Sequence, residues 1–356
     1  MKSRFSAKNN NIDSKSIKTA VLLTNLGTPE QPTVSALRSY LREFLSDPRV
    51  VEIPRLLWMI ILHGVILRIR PKKSAKLYQS IWTKEGSPLL IISQMQKEKV
   101  AAKLAQQQYS DNVIVDVAMR YGQPSISHVL KKFQQQGIEN LIVLPLYPQY
   151  AGPTTASTFD AVSKELQTWR YVPSLNFING YHNNAHYITA LANTITEHIN
   201  AHGKPDKLVL SYHGMPELFC QWGDPYYELC QLTTELLTAE LLTRSLMLST
   251  DDFVMTFQSR FGKAKWLQPY TDKTLKNLAK QGNKHIAIIS PAFSADCLET
   301  LEELEHENRA IFIDAGGEQY HYIAALNERD DHIEALMSIL DPILDPILEP
   351  IMDIKL

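Results

Sequence analysis

The sequence predicts an α/β protein made of two similar domains, with mainly parallel sheets and a cleft between them. Short apolar strand runs alternate with stretches of helical periodicity. The second half replays the turn motifs of the first in the same order. A chain of 356 residues is long enough for two domains.

Residues 1–17 are polar, lack the apolar core of a secretory signal and read as a disordered lead-in. Ala20-Val21-Leu22-Leu23 is then a buried-strand run ending at Asn25-Leu26-Gly27-Thr28-Pro29. A helix capped near Thr33 follows, with Val34, Leu37, Leu41, Phe44 and Leu45 as its apolar stripe. Residues 55–73 combine a bulky apolar run with Arg55, Arg68, Arg70, Lys72 and Lys73. That mixture suits a surface that takes an amphipathic ligand or rests on anionic lipid, and equally a buried helix with basic flanks. His63 and Gly64 interrupt the run well short of the roughly 20 residues that span a bilayer. Residues 113–117 and 141–144 are strands with a helix around 126–133 between them, the βαβ rhythm.

In the second half, a strand over 208–210 runs into Tyr212-His213-Gly214-Met215-Pro216, echoing the turn at Asn25 to Pro29. Met119-Arg120-Tyr121-Gly122 is echoed by Ser259-Arg260-Phe261-Gly262, and Leu144-Pro145 by Ser290-Pro291. These repeats predict one domain over 18–170, carrying a lip segment at about 50–70, and a second over 171–325. A C-terminal helix over 326–340 is expected to pack back on the first domain. The Asp-Pro-Ile-Leu repeat over 341–356 reads as an extended tail, because proline at every fourth position removes donors and clashes with the preceding turn.

A formal net charge of −2 provides no basic surface of the kind that holds nucleic acid. Cys220, Cys230 and Cys297 are too few and too scattered for a disulfide framework or a zinc site, and they fit a reducing, cytoplasmic setting. No phosphate-binding glycine loop or serine nucleophile elbow is present in the right context.

Two places carry chemistry. His213 lies just past a strand and beside a glycine, where α/β proteins present side chains to their clefts; taken alone it reads better as a structural histidine. After the strand at 286–289, Asp296, Glu299, Glu303 and His306 recur at three- and four-residue intervals. Asp296 as a helix cap with Glu299 as its capping-box partner is one account. A row that carries protons or a hard divalent cation is the other, and both can hold.

The motifs in their order resemble the ferrochelatase family in its Gram-negative bacterial form, from about residue 18 to 326. They are Asn25-Leu26-Gly27-Thr28-Pro29, Met119-Arg120-Tyr121-Gly122, Leu144-Pro145-Leu146-Tyr147-Pro148-Gln149-Tyr150, Ser211-Tyr212-His213-Gly214-Met215-Pro216, Gly223-Asp224-Pro225-Tyr226, Gln258-Ser259-Arg260-Phe261-Gly262 with Trp266, and the run from Phe293 through Asp296 and Glu299 to Glu303. The resemblance implies two Rossmann-like domains of chelatase type around a porphyrin cleft. It implies insertion of Fe²⁺ into protoporphyrin IX to give protohaem, with two protons released, iron being a substrate and no cofactor permanently bound. His213 and Glu299 are then the catalytic and metal-binding pair, with Asp296 and Glu303 relaying protons or metal. Leu26, Arg120, Tyr121, Trp266 and Phe293 are expected to face the porphyrin, and Ser87, Arg70 and Lys73 its propionates. Trp58, Ile60 and Ile61 fall in the lip that is associated with the membrane surface in some members, so peripheral contact with the inner face of the cytoplasmic membrane stands as an expectation beside the cytoplasmic setting, for a monomer or a homodimer.

Two departures limit the carry-over. Cys297 stands where many members have histidine, and no cysteine-bearing C-terminal extension is present, so no [2Fe-2S] cluster is expected. A chelatase for another metal or tetrapyrrole, and a carrier that holds a tetrapyrrole without reacting, are the alternatives.

Overall fold

The computed structural model describes residues 5–6, 18–107, 112–262 and 264–348. The chain opens with β1 (Thr19–Thr28), in which residues 20–23 are fully buried, as a parallel strand covered on both faces must be. In α1 (Val34–Leu45) the Oγ1 of Thr33 accepts the Ala36 N–H at 3.3 Å, which makes Thr33 the cap. Leu37, Tyr40, Leu41 and Leu45 are buried while Val34 is 38% exposed, so the apolar stripe begins one turn later than expected.

The lip consists of α2 (Arg55–Ile61), a π turn (Leu62–Ile66) and α3 (Leu67–Ile81). It is followed by α4 (Pro88–Ala105), β2 (Val113–Gly122), α5 (Ile126–Gln135), β3 (Asn140–Pro145), a π turn (Gly152–Ala156), α6 (Ser157–Leu166) and β4 (Ser174–Phe177). These strands form one parallel sheet in the order β2-β1-β3-β4. Next come α7 (Ala185–His202), β5 (Lys207–His213), α8 (Glu217–Gln221), α9 (Tyr226–Leu242), β6 (Phe253–Gln258), α10 (Thr271–Lys280) and β7 (His285–Ile289). A π-helix (Glu299–Glu307), α11 (Asn308–Asp314), β8 (Gln319–Ile323) and α12 (Asp330–Leu348) complete the described residues. The second parallel sheet has the order β6-β5-β7-β8, so each β5–β8 strand occupies the place of its β1–β4 counterpart.

Three expectations about organisation are corrected. β4 pairs with β3, Ser174 opposite Asn140, so the division between the sheets falls after Phe177 rather than at 170/171. The helix expected to stop at 340 continues through Pro342 and Pro346 to Leu348. Each interior proline costs about 3 kcal/mol, but Leu340 and Leu344 are buried and Ile343 and Ile347 pack against the same core. Burial of about 1.5–3 kcal/mol per large side chain offsets that cost. At the other terminus, Ser6 N–H donates to Thr168 O at 3.0 Å and Arg170 N–H to Ser6 O at 3.0 Å, so this part of the lead-in is paired. The rest of the lead-in, and the tail beyond 348, lie outside the described residues.

The largest core cluster joins Val21 and Leu23 of the first sheet to Leu210, Ala287 and Ile323 of the second through Ile195 of α7 and Leu336 of α12. Lys99 meets Asp330 at 2.7 Å and Lys103 meets Glu334, which holds α12 against α4. The two sheets are thereby fixed to each other with the carboxyl ends of their strands around one cleft.

Candidate active site

Parallel α/β sheets present their functional loops at the carboxyl ends of the strands. Here both sheets contribute them to a single cleft of about 410 Å³. Leu26 and Thr28 enter from the end of β1, Leu146 and Tyr147 from beyond β3, His213 and Gly214 from the end of β5, and Ser259 from beyond β6. The π-helix closes one side with Glu299, Glu302, Glu303 and Glu307.

His213 is the last residue of β5, and its backbone is held on two sides. Gly214 N–H donates to Gln258 O at 2.7 Å, and Leu267 N–H donates to Met215 O at 2.9 Å. Gly214 is required for this approach, because a Cβ there would stand 2.5 Å from Gln258 O. The ring's Nδ1 lies 2.7 Å from Gly214 O. A carbonyl only accepts, so Nδ1 carries the hydrogen, and in the neutral ring the lone pair is on Nε2. Phe293 lies beside the ring, 6.4 Å between centroids.

The acidic row divides. Glu299 lines the cleft, and its backbone carbonyl accepts Gln258 Nε2–H at 2.9 Å, which ties the start of the π-helix to β6. Glu303 also lines the cleft; its carboxylate accepts Ser259 N–H at 2.7 Å and the Ser259 hydroxyl. Burial pushes the Glu303 carboxyl up to about 7, the Ser259 bonds opposing and Glu299 and Glu307 adding to the rise. Asp296, expected in this row, is not among the cleft residues. It is buried and accepts from Thr300 Oγ1 at 2.9 Å, Asn327 Nδ2 at 2.7 Å and the Tyr322 hydroxyl, a junction between the π-helix and the segment after β8. The capping box does not form either: Thr300 Oγ1 accepts Cys297 N–H at 3.0 Å, and the π-helix has no side-chain cap. Glu302 and Glu307 take the cleft positions that spacing alone had given to Asp296 and His306. A run of π turns is uncommon and is often found at functional sites.

The cleft walls include Leu26, Ser87, Arg70, Trp266 and Phe293 from the sequence expectation. Ser87 accepts the Thr28 hydroxyl at 2.8 Å, and the Arg70 guanidinium sits 5.2 Å above the Phe261 ring at the mouth. Trp266 Nε1, Tyr147 Oη and Ser294 Oγ are buried in this wall without a hydrogen-bond partner among the described residues. Unmatched polar atoms of this kind suit a ligand that brings partners of its own. Tyr40 and Tyr78, which the motifs did not point to, also line the cleft; burial and the nearby Glu299 push both hydroxyls well above their ordinary value.

Arg120 and Tyr121, expected to face the porphyrin, are not among the residues that line the cleft. Tyr121 is fully buried, donates to Asp47 Oδ2 at 2.8 Å and meets the cleft residue Phe44 edge-on at 5.0 Å. Arg120 pairs with Asp47 and donates to Ser157 O at 2.9 Å. Burial raises the Asp47 carboxyl, but hydrogen bonds from Ser157, Arg49 N–H and Tyr121, together with the Arg120 charge, outweigh it and hold the group below the usual carboxylate value. Trp58 is also corrected. It is buried, and its Nε1–H donates to Leu45 O at 2.6 Å, so it anchors the lip rather than facing outward. Ile61 is half-buried against the same cluster, whereas Ile60 is 71% exposed alongside Leu56 at 84% and Ile69 at 68%. No helix among the described residues is long and apolar enough to cross a membrane.

Comparison with known proteins agrees with this geometry. The chain is 58% identical over 329 residues to the ferrochelatase of Shewanella denitrificans, covering 91% of this chain and 97% of that one. It is 58% identical over 325 residues to ferrochelatase 2 of Shewanella oneidensis, with the same two coverages. Among solved structures, SirB from Bacillus subtilis with Fe³⁺ superposes with a TM-score of 0.52 at 12% identity, over 91% of this chain and 95% of that one, a likeness of fold. The family model for ferrochelatase matches residues 18–342. With two matching parallel sheets, a shared cleft and relatives of this closeness, the chain belongs to the ferrochelatase family, enzymes of metal chelation in haem synthesis.

Proposed function

We propose that the enzyme inserts Fe²⁺ into protoporphyrin IX to form protohaem, releasing the two pyrrole protons. The observation that carries this reading is the pairing of an imidazole whose Nε2 lone pair is free, on His213, with a column of carboxylates, Glu299, Glu303 and Glu307, on the wall of the same cleft. Metal insertion needs a base for pyrrole protons and a hard, anionic path for the ion and the protons leaving.

His213 takes protons from the pyrrole nitrogens through Nε2, the Nδ1–H bond to Gly214 O keeping the ring in the accepting tautomer. Glu299 receives Fe²⁺, and Glu303, poised near neutrality by burial, passes protons outward toward Glu307. Asp296 acts by fixing the start of the π-helix, and Arg120 and Tyr121 by bracing the wall behind Phe44. The apolar faces of Leu26, Trp266 and Phe293 suit a flat macrocycle, and Ser87 and Arg70 suit its carboxylates; Lys73, expected beside them, is exposed and not among the cleft residues. No resident cofactor or [2Fe-2S] cluster enters this reading. The exposed Leu56, Ile60 and Ile69 with Arg68 and Lys72 suit peripheral contact with an anionic membrane on the cytoplasmic side, as a monomer or homodimer.

Anaerobic mixing with protoporphyrin IX and Fe²⁺, following loss of porphyrin fluorescence and gain of haem absorbance, tests the reading. Turnover is expected for the natural chain and a loss of at least about a hundredfold for His213→Ala, the lower end for removing a general base. Near-normal turnover by His213→Ala would defeat the scheme, and porphyrin binding without insertion by the natural chain would favour a carrier.

A further inference from the structure

At the opposite end of the second sheet from the cleft, four imidazoles gather. His198 and His202 are one turn apart at the end of α7, their rings stacked at 4.4 Å. His321 of β8 lies 5.0 Å from the first and 4.7 Å from the second, and His285, the first residue of β7, lies 5.2 Å from His321. Lys207 opposite Ile286 sets β5 and β7 in register, and His213 is at the far end of β5. At about 3.3 Å per residue the cluster is roughly 20 Å from the catalytic histidine along the strands.

The geometry is that of a ligand set. One ring nitrogen from each of His198, His202 and His321 lies within 4.8 Å of the others. His202 Nδ1 is 3.1 Å from His198 O, a carbonyl that only accepts, so Nδ1 holds the hydrogen and Nε2 presents its lone pair. His198 Nε2 and His285 Nε2 are buried with no hydrogen-bond partner among the described residues. His202 is exposed and His198, His285 and His321 are half-buried. The cation on the rim, Arg329, is already matched by Glu197 at 2.8 Å to both oxygens and by Asp331 at 3.0 Å. Arg309, the other cation felt by His321, is turned to the Tyr320 carbonyl at 2.7 Å.

We propose that His198, His202 and His321 form a second metal site, separate from the cleft, that takes one first-row divalent cation of borderline softness such as Zn²⁺ or Ni²⁺. Imidazole nitrogens suit these ions, and three protein ligands with an open fourth position is a common zinc arrangement. Nitrogens about 2.0–2.1 Å from a tetrahedral zinc stand roughly 3.4 Å apart. From separations within 4.8 Å the cluster closes by at most about 1.4 Å on binding, a movement the exposed His202 at the end of α7 can supply. Water or His285 completes the shell. A cation here joins the end of α7 to the edge strand β8 and stabilises the folded chain by mass action.

The test uses the full chain, free of any histidine tag and stripped by chelator, in a His213→Ala, Glu299→Gln background that removes the proposed metal-binding pair of the cleft. Zn²⁺ titrated by calorimetry is expected to bind at one ion per chain and to raise the unfolding temperature. His198→Gln with His321→Gln is expected to abolish both effects. His202→Gln, at an exposed position that leaves the core intact, is expected to weaken binding at least about tenfold, and it decides the matter if the double variant does not fold. No zinc bound by the cleft-ablated chain, or zinc bound with unchanged affinity after these substitutions, overturns the proposal.

Discussion

Replacing Glu303 by glutamine removes a charge that the fold resists. Its carboxyl accepts both donors of Ser259, yet burial carries it to about 7 from an ordinary 4.5. Because the folded-state value is the higher one, the folded chain keeps a proton over a window in which the unfolded chain has lost it. Stability from this group is therefore intact below the unfolded value and falls as pH rises toward 7, levelling off above it. With both states ionised, the penalty is about 3 kcal/mol. Glutamine keeps the shape, can still accept from Ser259 and does not titrate, so subtracting the two chains isolates this one group. The stability difference should shift in the variant's favour by about 2 kcal/mol between about pH 5.5 and about pH 8. Urea unfolding of both chains at the two pH values, with chelator present, measures it. A difference that does not change with pH would show that Glu303 is ionised throughout, and the proposed proton relay would lose its near-neutral member.

Three further perturbations separate structural from functional roles. Asp47→Asn leaves the Arg120 guanidinium without its buried counter-charge and should cost about 3–5 kcal/mol in denaturant unfolding at neutral pH; since the Asp47 carboxyl is held low, its contribution is present above its unfolded value and fades as pH falls toward the folded one. Gly27→Ala puts a Cβ 1.8 Å from Tyr121 O at a φ of +109° and should destabilise by at least about 3 kcal/mol, read as loss of soluble folded chain or of unfolding midpoint. In the lip, Ile60→Ser should lower co-sedimentation with anionic liposomes and leave stability unchanged, whereas Trp58→Ser should cost about 3–5 kcal/mol in stability through a lost core anchor; equal liposome binding by Ile60→Ser would remove the membrane contact from the reading.

The sheets were legible because their strands are short apolar runs ending at paired turn motifs, and a repeated motif fixes an order of strands as well as their number. What the sequence concealed lies where polarity and position disagree. Asp296 and Glu299 are three residues apart in one acidic run, but only a π-helix that begins after Asp296 leaves the first bonded to Tyr322 and Asn327 and the second in the cleft. Only the family resemblance assigns Arg120 and Tyr121 to the porphyrin; a buried aspartate some seventy residues earlier bonds to both, and no local pattern announces Asp47. Trp58 follows the same logic in reverse: an apolar helix on the surface needs one large side chain turned inward, and composition does not say which. Through Pro342 and Pro346, local propensity lost to burial of leucines against both sheets.

The duplication also bears on how the cleft divides its work. Leu26 and His213 occupy the same place in the two copies of one turn, each at the end of the second strand in its sheet order, each followed by a glycine whose Cβ would strike a carbonyl of the neighbouring strand, Tyr121 O at 1.8 Å and Gln258 O at 2.5 Å. Both side chains line the cleft. One copy thus presents a hydrocarbon and the other an imidazole, and the acidic π-helix follows β7 of the copy that carries the imidazole. A pair of equivalent loops, one kept apolar and one made reactive, suits a flat substrate that has to be gripped from one side and deprotonated from the other. Leu26→His would place an imidazole in both copies. If the apolar face serves only to hold the macrocycle, that substitution should raise KM by about tenfold or more, the loss of roughly 1.4 kcal/mol of apolar contact, with little change in kcat. A fall in kcat with KM unchanged would instead mean that Leu26 shapes the reacting ring.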